Sequence, residues 1–217
     1  MLNGVFVKTY PPTPFDRAEI MRYAGCKDGF EDVAALLEDT LRECANVFSY
    51  RVCYRVFETE DFFNRFQVQS KALQKNLDGC DYVVAFAATV GLEIDRFIAK
   101  YANVSMTKAW LLLAIGAERI ESLCEAFCTD IKAQAKEKEY HPRPRFSAGY
   151  GDFPLETQGR FFAELDCARK IGLSLTDSFL MTPTKSVTAV VGLSKIDKEE
   201  KAGCAVCEKT DCAMRRK

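Results

Sequence analysis

Two arginines, a tyrosine and a pair of glycines share one short stretch, "RPRFSAGYGDFP" at residues 143–154. Arg145 can offer a planar fork of N–H groups to a carboxylate or a phosphate. Gly149 and Gly151 flank Tyr150 and permit positive φ and close approach of a ligand to the backbone. Pro142 and Pro144 restrict the residues before them and stiffen the approach to the turn. Such a loop suits a small anionic or zwitterionic ligand. It equally suits a crossover whose arginines pair with surface acids, because loops both carry function and simply connect.

A second group with chemistry in it is Cys204, Cys207 and Cys212, a Cys-x-x-Cys pair with a third thiol close behind. The spacing is metal-like. Zinc would want a fourth ligand and an iron–sulfur cluster usually takes four cysteines, so Cys167, water or a thiol from a partner would have to complete the set. The pair alternatively acts as a redox couple. The plain alternative is a flexible tail with incidental cysteines. The other seven cysteines sit in apolar patterns and read as small hydrophobes.

Several other chemistries lack material. The sequence has no Walker-type phosphate loop and no G-x-G-x-x-G after a strand. His141 is the sole histidine, which leaves little for His-based metal clusters or Ser-His-Asp relays, and before Pro142 it reads as an extended loop residue rather than a base. With 30 basic and 31 acidic residues the net charge is −1, so nucleic acid is not an expected partner. "MLNGVFVKTY" lacks a signal-peptide core, and the longest apolar run, "AWLLLAIGA" at 109–117, is too short to span a bilayer. The expectation is a cytoplasmic protein with reduced thiols and no membrane contact.

The elements that must position the loop are read from periodicity. Thr13 is the expected N-cap of a short helix ending at Gly25, and residues 28–48 carry helical spacing. "YRVCYRVFE" at 50–58 alternates as a strand. "FFNRFQVQS" reads as a second strand, followed by a short helix through Leu77. "DYVVAFAAT" at 81–89 is apolar throughout, the mark of a strand covered on both faces. A helix over "LEIDRFIAKY" precedes the longest helical pattern, from Ser105 or Thr107 to about Lys138. Beyond the loop, "LETQGRFFAELDCARKIG" predicts one amphipathic helix stopped by Gly172. "DSFLMTPTKSVTAVVGLS" predicts two strands joined by a turn at residues 183–185. The mixture is an α+β domain with a modest, mostly antiparallel sheet over residues 1–196, and 197–217 form a cysteine-bearing tail.

The chain resembles a known family. Arg145-x-x-x-Gly149-Tyr150, then Pro154, then a helix and "LTDSFLMTP" at 175–183, is similar to the signature of the reactivation (activation) domain of cobalamin-dependent methionine synthase. "LCEAF" at 123–127 extends the likeness upstream, and "RYAGCKDG" and "AFAATVGLEID" resemble single-domain versions of that family. The resemblance implies an S-adenosylmethionine site. A reactivation domain brings this ligand to a cobalamin whose cobalt has been oxidised, a flavodoxin- or ferredoxin-like reductant supplies one electron, and methyl transfer traps the reduced cobalt. Carried over by position, Arg145 holds the methionyl carboxylate, Ser147 gives backbone contacts, Gly149 shapes the turn and Tyr150 lies near the sulfonium methyl. Glu125 accepts from the ammonium or ribose, or serves as an ordinary exposed helix glutamate.

The partner so implied is a separate methionine synthase or related corrinoid protein that carries the cobalamin. A non-catalytic docking module and an iron–sulfur or zinc-bearing electron-transfer activator are the alternative readings. Two departures stand out. Gly151 occupies a position where the family carries proline, which predicts a looser loop. After "VVGLS" a charged, cysteine-bearing segment replaces the family's tyrosine-bearing one.

Overall fold

The computed structural model describes residues 4–26 and 31–197. Five strands form one antiparallel sheet in the order β1 (Phe6–Tyr10), β2 (Tyr50–Glu58), β3 (Tyr82–Thr89), β7 (Ser186–Ser194) and β4 (His141–Pro142). Helices cover both faces. On one side lie α1 (Arg17–Tyr23), α2 (Glu31–Cys44), α5 (Glu93–Ala102) and the 31-residue α6 (Met106–Lys136). On the other lie α3 (Thr59–Phe66), α4 (Lys71–Asn76), α7 (Gln158–Leu165) and α8 (Cys167–Ile171). A small second sheet pairs β5 (Ser174–Leu175) with β6 (Met181–Thr182).

β3 shows why its run has no polar alternation. Val84, Phe86 and Ala88 enter the core beneath α6, whereas Val83, Ala85 and Ala87 enter the core beneath α3 and α7. Both sets are out of water, so each strand position gains from being apolar. Phe86 meets Phe127 of α6 at 4.6 Å between ring centroids. Ser105 caps α6, its side chain accepting from the backbone of Lys108. β7 runs antiparallel to β3, with Thr188 opposite Ala87.

Four expectations are corrected. Asp16, not Thr13, caps α1, its carboxylate accepting from Glu19 N at 3.1 Å. Thr13 instead gives its carbonyl to Arg119. The stretch read as a second strand contains α3, which runs to Phe66. Phe62 and Phe66 fall one turn apart, stack at 4.3 Å and are both buried, so a helical period removes more apolar surface from water than alternation would. The helix predicted after the loop breaks into a 3₁₀ turn (Leu155–Thr157), α7 and α8, because Asp166 adopts φ 50° and ends α7. The two strands predicted over residues 177–194 do not pair with each other: β6 joins β5 and β7 joins β3. β1, which the sequence reading left unassigned, pairs along the edge of β2. No described helix is long and apolar enough to cross a membrane.

Candidate functional site

The loop at 143–154 is pinned at both ends. Arg143 N donates to Gly192 O at 2.8 Å, and Phe146 and Val190 exchange two backbone hydrogen bonds at 3.0 and 2.8 Å. The segment thus extends the edge of the sheet, where prolines are tolerated because half the N–H groups face outward. Past Phe146 the chain turns through Gly149, at φ 91°, and Gly151, at φ 57°. Asp152 then reaches the start of α4, accepting from Ser70 Oγ at 2.6 Å, Lys71 N at 2.7 Å and Ala72 N at 3.0 Å. These donors hold its carboxyl below the usual range, with Ser70 the largest contributor. A proline could not adopt the positive φ of Gly151.

Arg145 leaves this loop toward α6. Its Nη2 donates to Glu121 Oε2 at 2.6 Å, and its Nη1 is buried without a hydrogen-bond partner. Burial opposes the guanidinium charge, and the Glu121 carboxylate beside it works against that, so Arg145 stays protonated. One arm of Arg145 thus pairs with an acid, and the other is buried without a partner.

Arg145 lines a cleft of about 440 Å³ together with Ser147, Tyr150, Gln158, Met181 and Thr188, among others. Its walls are rigid. Ser186 Oγ bonds Thr89 Oγ1 at 2.9 Å and donates to Pro183 O at 2.7 Å, and Asp95 of α5 holds the preceding turn through Thr184 N and Oγ1 at 2.7 and 2.6 Å. Gln158 opens α7, whose Phe161 and Leu165 are wholly buried. Five buried side-chain nitrogens or oxygens among the described residues lack a hydrogen-bond partner, and three of them, Arg145 Nη1, Gln158 Oε1 and Thr188 Oγ1, belong to residues lining this cleft. Tyr150 also lines the cleft and is 68% exposed.

A second cleft, of about 400 Å³, lies on the other side of Glu121. Its lining is acidic: Asp16, Glu19, Glu118, Glu121 and Glu125. Of the five predicted contact residues, Arg145, Ser147 and Tyr150 line the first cleft, Gly149 shapes the turn behind it, and Glu125 lines the second. Glu121, Gln158 and Thr188 were not anticipated. Glu121 is one helical turn before Glu125, and Ser186 and Thr188 place two hydroxyls at period two in an otherwise apolar strand, which is the signal that could have found them.

The remaining candidates lie apart. His141 pairs with Ser194 in β4, and its Nδ1 is 3.5 Å from Asp197 Oδ1, at the far end of β7 from Thr188. Cys204, Cys207 and Cys212 lie outside the described residues. Cys167, considered as their fourth ligand, is instead sealed in the core with its Sγ 3.9 Å from that of Cys53; the Cys53 thiol and burial push its pKa far up, so it stays a thiol. Among the described residues no three His, Cys, Asp or Glu side chains could hold a metal ion.

Residues 63–199 match the family model described as vitamin B12 dependent methionine synthase, activation domain. The chain belongs to this family. The matched region contains the whole Arg145 loop, α6, α7 and β7. Among solved structures, the chain is similar to the crystal structure of the MetH reactivation domain bound to AdoHcy, with a TM-score of 0.61 at 16% identity, covering 92% of this chain and 81% of that one. The likeness covers more of the chain than the family model does. No curated protein matches the sequence.

Proposed function

We propose that the Arg145 cleft binds S-adenosylmethionine and that the protein serves as the reactivation module for the cobalamin of a methionine synthase or related corrinoid protein. The observation that carries this reading is Arg145 Nη1, a buried charged donor left without an acceptor in a cleft of ligand size. Burying such a donor unpaired costs free energy that a ligand carboxylate would recover. Glu121 holds the other arm and so fixes the direction in which Nη1 points.

The residues fit the ligand by charge. Arg145 takes the methionyl carboxylate, Ser147 lies beside it on the same edge, and Glu125 in the acid-lined neighbouring cleft accepts from the ribose or the ammonium. The acidic lining also favours a cationic sulfonium. Tyr150, largely exposed, is where a partner's corrin would approach. When bound, S-adenosylmethionine supplies the methyl group captured by the partner's reduced cobalt, with one electron from a flavodoxin- or ferredoxin-like donor. The chain itself positions and screens from water; no acid or base is required of it.

The test is reactivation in trans. The protein, S-adenosylmethionine and a low-potential reductant are added to a cobalamin-dependent methionine synthase lacking its own activation domain and held in the oxidised, inactive state. Return of turnover with the intact chain, cut by on the order of tenfold with Arg145→Ala, is expected. No return with the intact chain contradicts the reading.

A further inference from the structure

Gln158 and Thr188 have no assigned role, and the geometry gives them one. Gln158 is 5% exposed and Thr188 is 2% exposed, yet Gln158 Oε1 and Thr188 Oγ1 have no hydrogen-bond partner. Neither orphan follows from a mobile setting. Gln158 begins a helix anchored by Phe161, and Thr188 sits mid-strand in β7, paired with β3 and followed by Ala189, Val190 and Val191 in the core. A buried amide or hydroxyl left unpaired weakens the fold, and native structures keep few of them. Here two belong to residues that line the same cleft as Arg145.

Their chemistry complements that of Arg145. Arg145 presents a donor to an anion. Gln158 Oε1 is an acceptor, and the Thr188 hydroxyl can accept as well as donate. A ligand that satisfies all three carries an anionic acceptor beside hydrogen-bond donors, which is the head of an α-amino acid. We infer that Gln158 and Thr188 are specificity residues that accept hydrogen bonds from the α-ammonium of the ligand whose carboxylate Arg145 takes, leaving Glu125 in the adjoining cleft to the ribose. The inference rests on the S-adenosylmethionine reading and deepens it. It separates two loads that one side chain usually carries together: these two groups weaken the free protein and strengthen the complex.

That separation supplies the test. Thr188→Val and Gln158→Met keep the volume and remove the orphaned oxygen. Each variant is melted without ligand and titrated by calorimetry with S-adenosylmethionine and with 5′-methylthioadenosine, which has the nucleoside but no amino-acid head. Each variant is expected to melt at or above the wild type, by up to roughly 2–4 °C. Each should bind S-adenosylmethionine on the order of tenfold more weakly, with 5′-methylthioadenosine unchanged. Wild-type protein that binds S-adenosylmethionine, beside variants that bind it equally well, overturns the inference and leaves the S-adenosylmethionine reading standing. Equal losses for both ligands overturn the assignment to the ammonium. Variants that melt lower and bind as the wild type place the two groups in structural hydrogen bonds through water. Wild-type protein that binds neither ligand removes the underlying reading and the inference with it.

Discussion

Two arginines meet at the middle of α6, Arg119 on the helix and Arg145 packed against it, and they are treated in opposite ways. Arg119 is wholly buried and fully partnered: Nε and Nη2 meet both oxygens of Glu118, Nη1 donates to Thr13 O at 2.6 Å and Oγ1 at 3.2 Å, and Nη2 donates to Pro14 O at 2.9 Å. Its guanidinium also lies 4.4 Å from the centre of the Phe15 ring. Arg145, which meets α6 less than one turn further on at Glu121, has one side-chain hydrogen bond to a carboxylate and an orphaned nitrogen. A guanidinium whose donors are all used is a structural staple, here fixing residues 13–15 to the sheet's helical cover. One with a buried donor left over is held at a cost, which the proposed ligand would recover.

The contrast can be broken first at Arg119. Arg119→Met strands Glu118 in the interior and uncovers the carbonyls of Thr13 and Pro14. A loss of about 3–5 kcal/mol is expected in urea unfolding. A loss below about 1 kcal/mol would mean that the staple is not one. Arg145→Met should sit at the other extreme, within about 1 kcal/mol of the wild type, because removing its single ion pair, whose side chains are 21% and 29% exposed, also removes an unpaired buried donor. Tyr150→Ala sharpens the comparison further. With the ring largely in water, stability should hold to about ±0.5 kcal/mol while reactivation in trans falls, and equal reactivation would remove Tyr150 from the partner surface.

The smallest effect is the pH dependence of the Asp152 clamp. Hydrogen bonds from Ser70, Ala72 and Lys71 depress the Asp152 carboxyl below its ordinary 3.8. A depressed carboxyl stabilises the fold above its unfolded pKa, and that contribution fades as pH falls through the lower folded value. Protection of the Lys71 and Ala72 amides, measured relative to their intrinsic exchange at each pH, should therefore hold at neutral pH and be lost only below the ordinary 3.8. Asp152→Ala should show the lost protection at pH 7, and protection independent of both changes would dismiss the clamp.

Much of this architecture was legible in the sequence. β2, β3, α5 and α6 follow their hydrophobic periods because burial and period agree there. α3 was missed because three phenylalanines favour a strand on propensity, and only the packing of Phe62 on Phe66 decides for a helix. β5 and β6 are two residues each, too short for any period to register. In the site, Arg145, Ser147 and Tyr150 come together because they are neighbours on one pinned loop. Glu125 falls into the adjoining cleft because Glu121, one turn earlier, already occupies Arg145. Gln158 and Thr188 matter for what they lack, and a missing hydrogen bond leaves no trace in residue order.

The central claim is that Arg145 Nη1 is held open for a ligand carboxylate, and a calorimetric titration tests it most directly. S-adenosylmethionine is titrated into the anaerobically purified protein and into Arg145→Ala, with melting curves recorded beside both. Saturable binding by the wild type, weakened on the order of tenfold or more in a variant that melts within a few degrees of it, is the predicted result. Binding that survives the substitution unchanged, or no binding by the wild type, would contradict the claim.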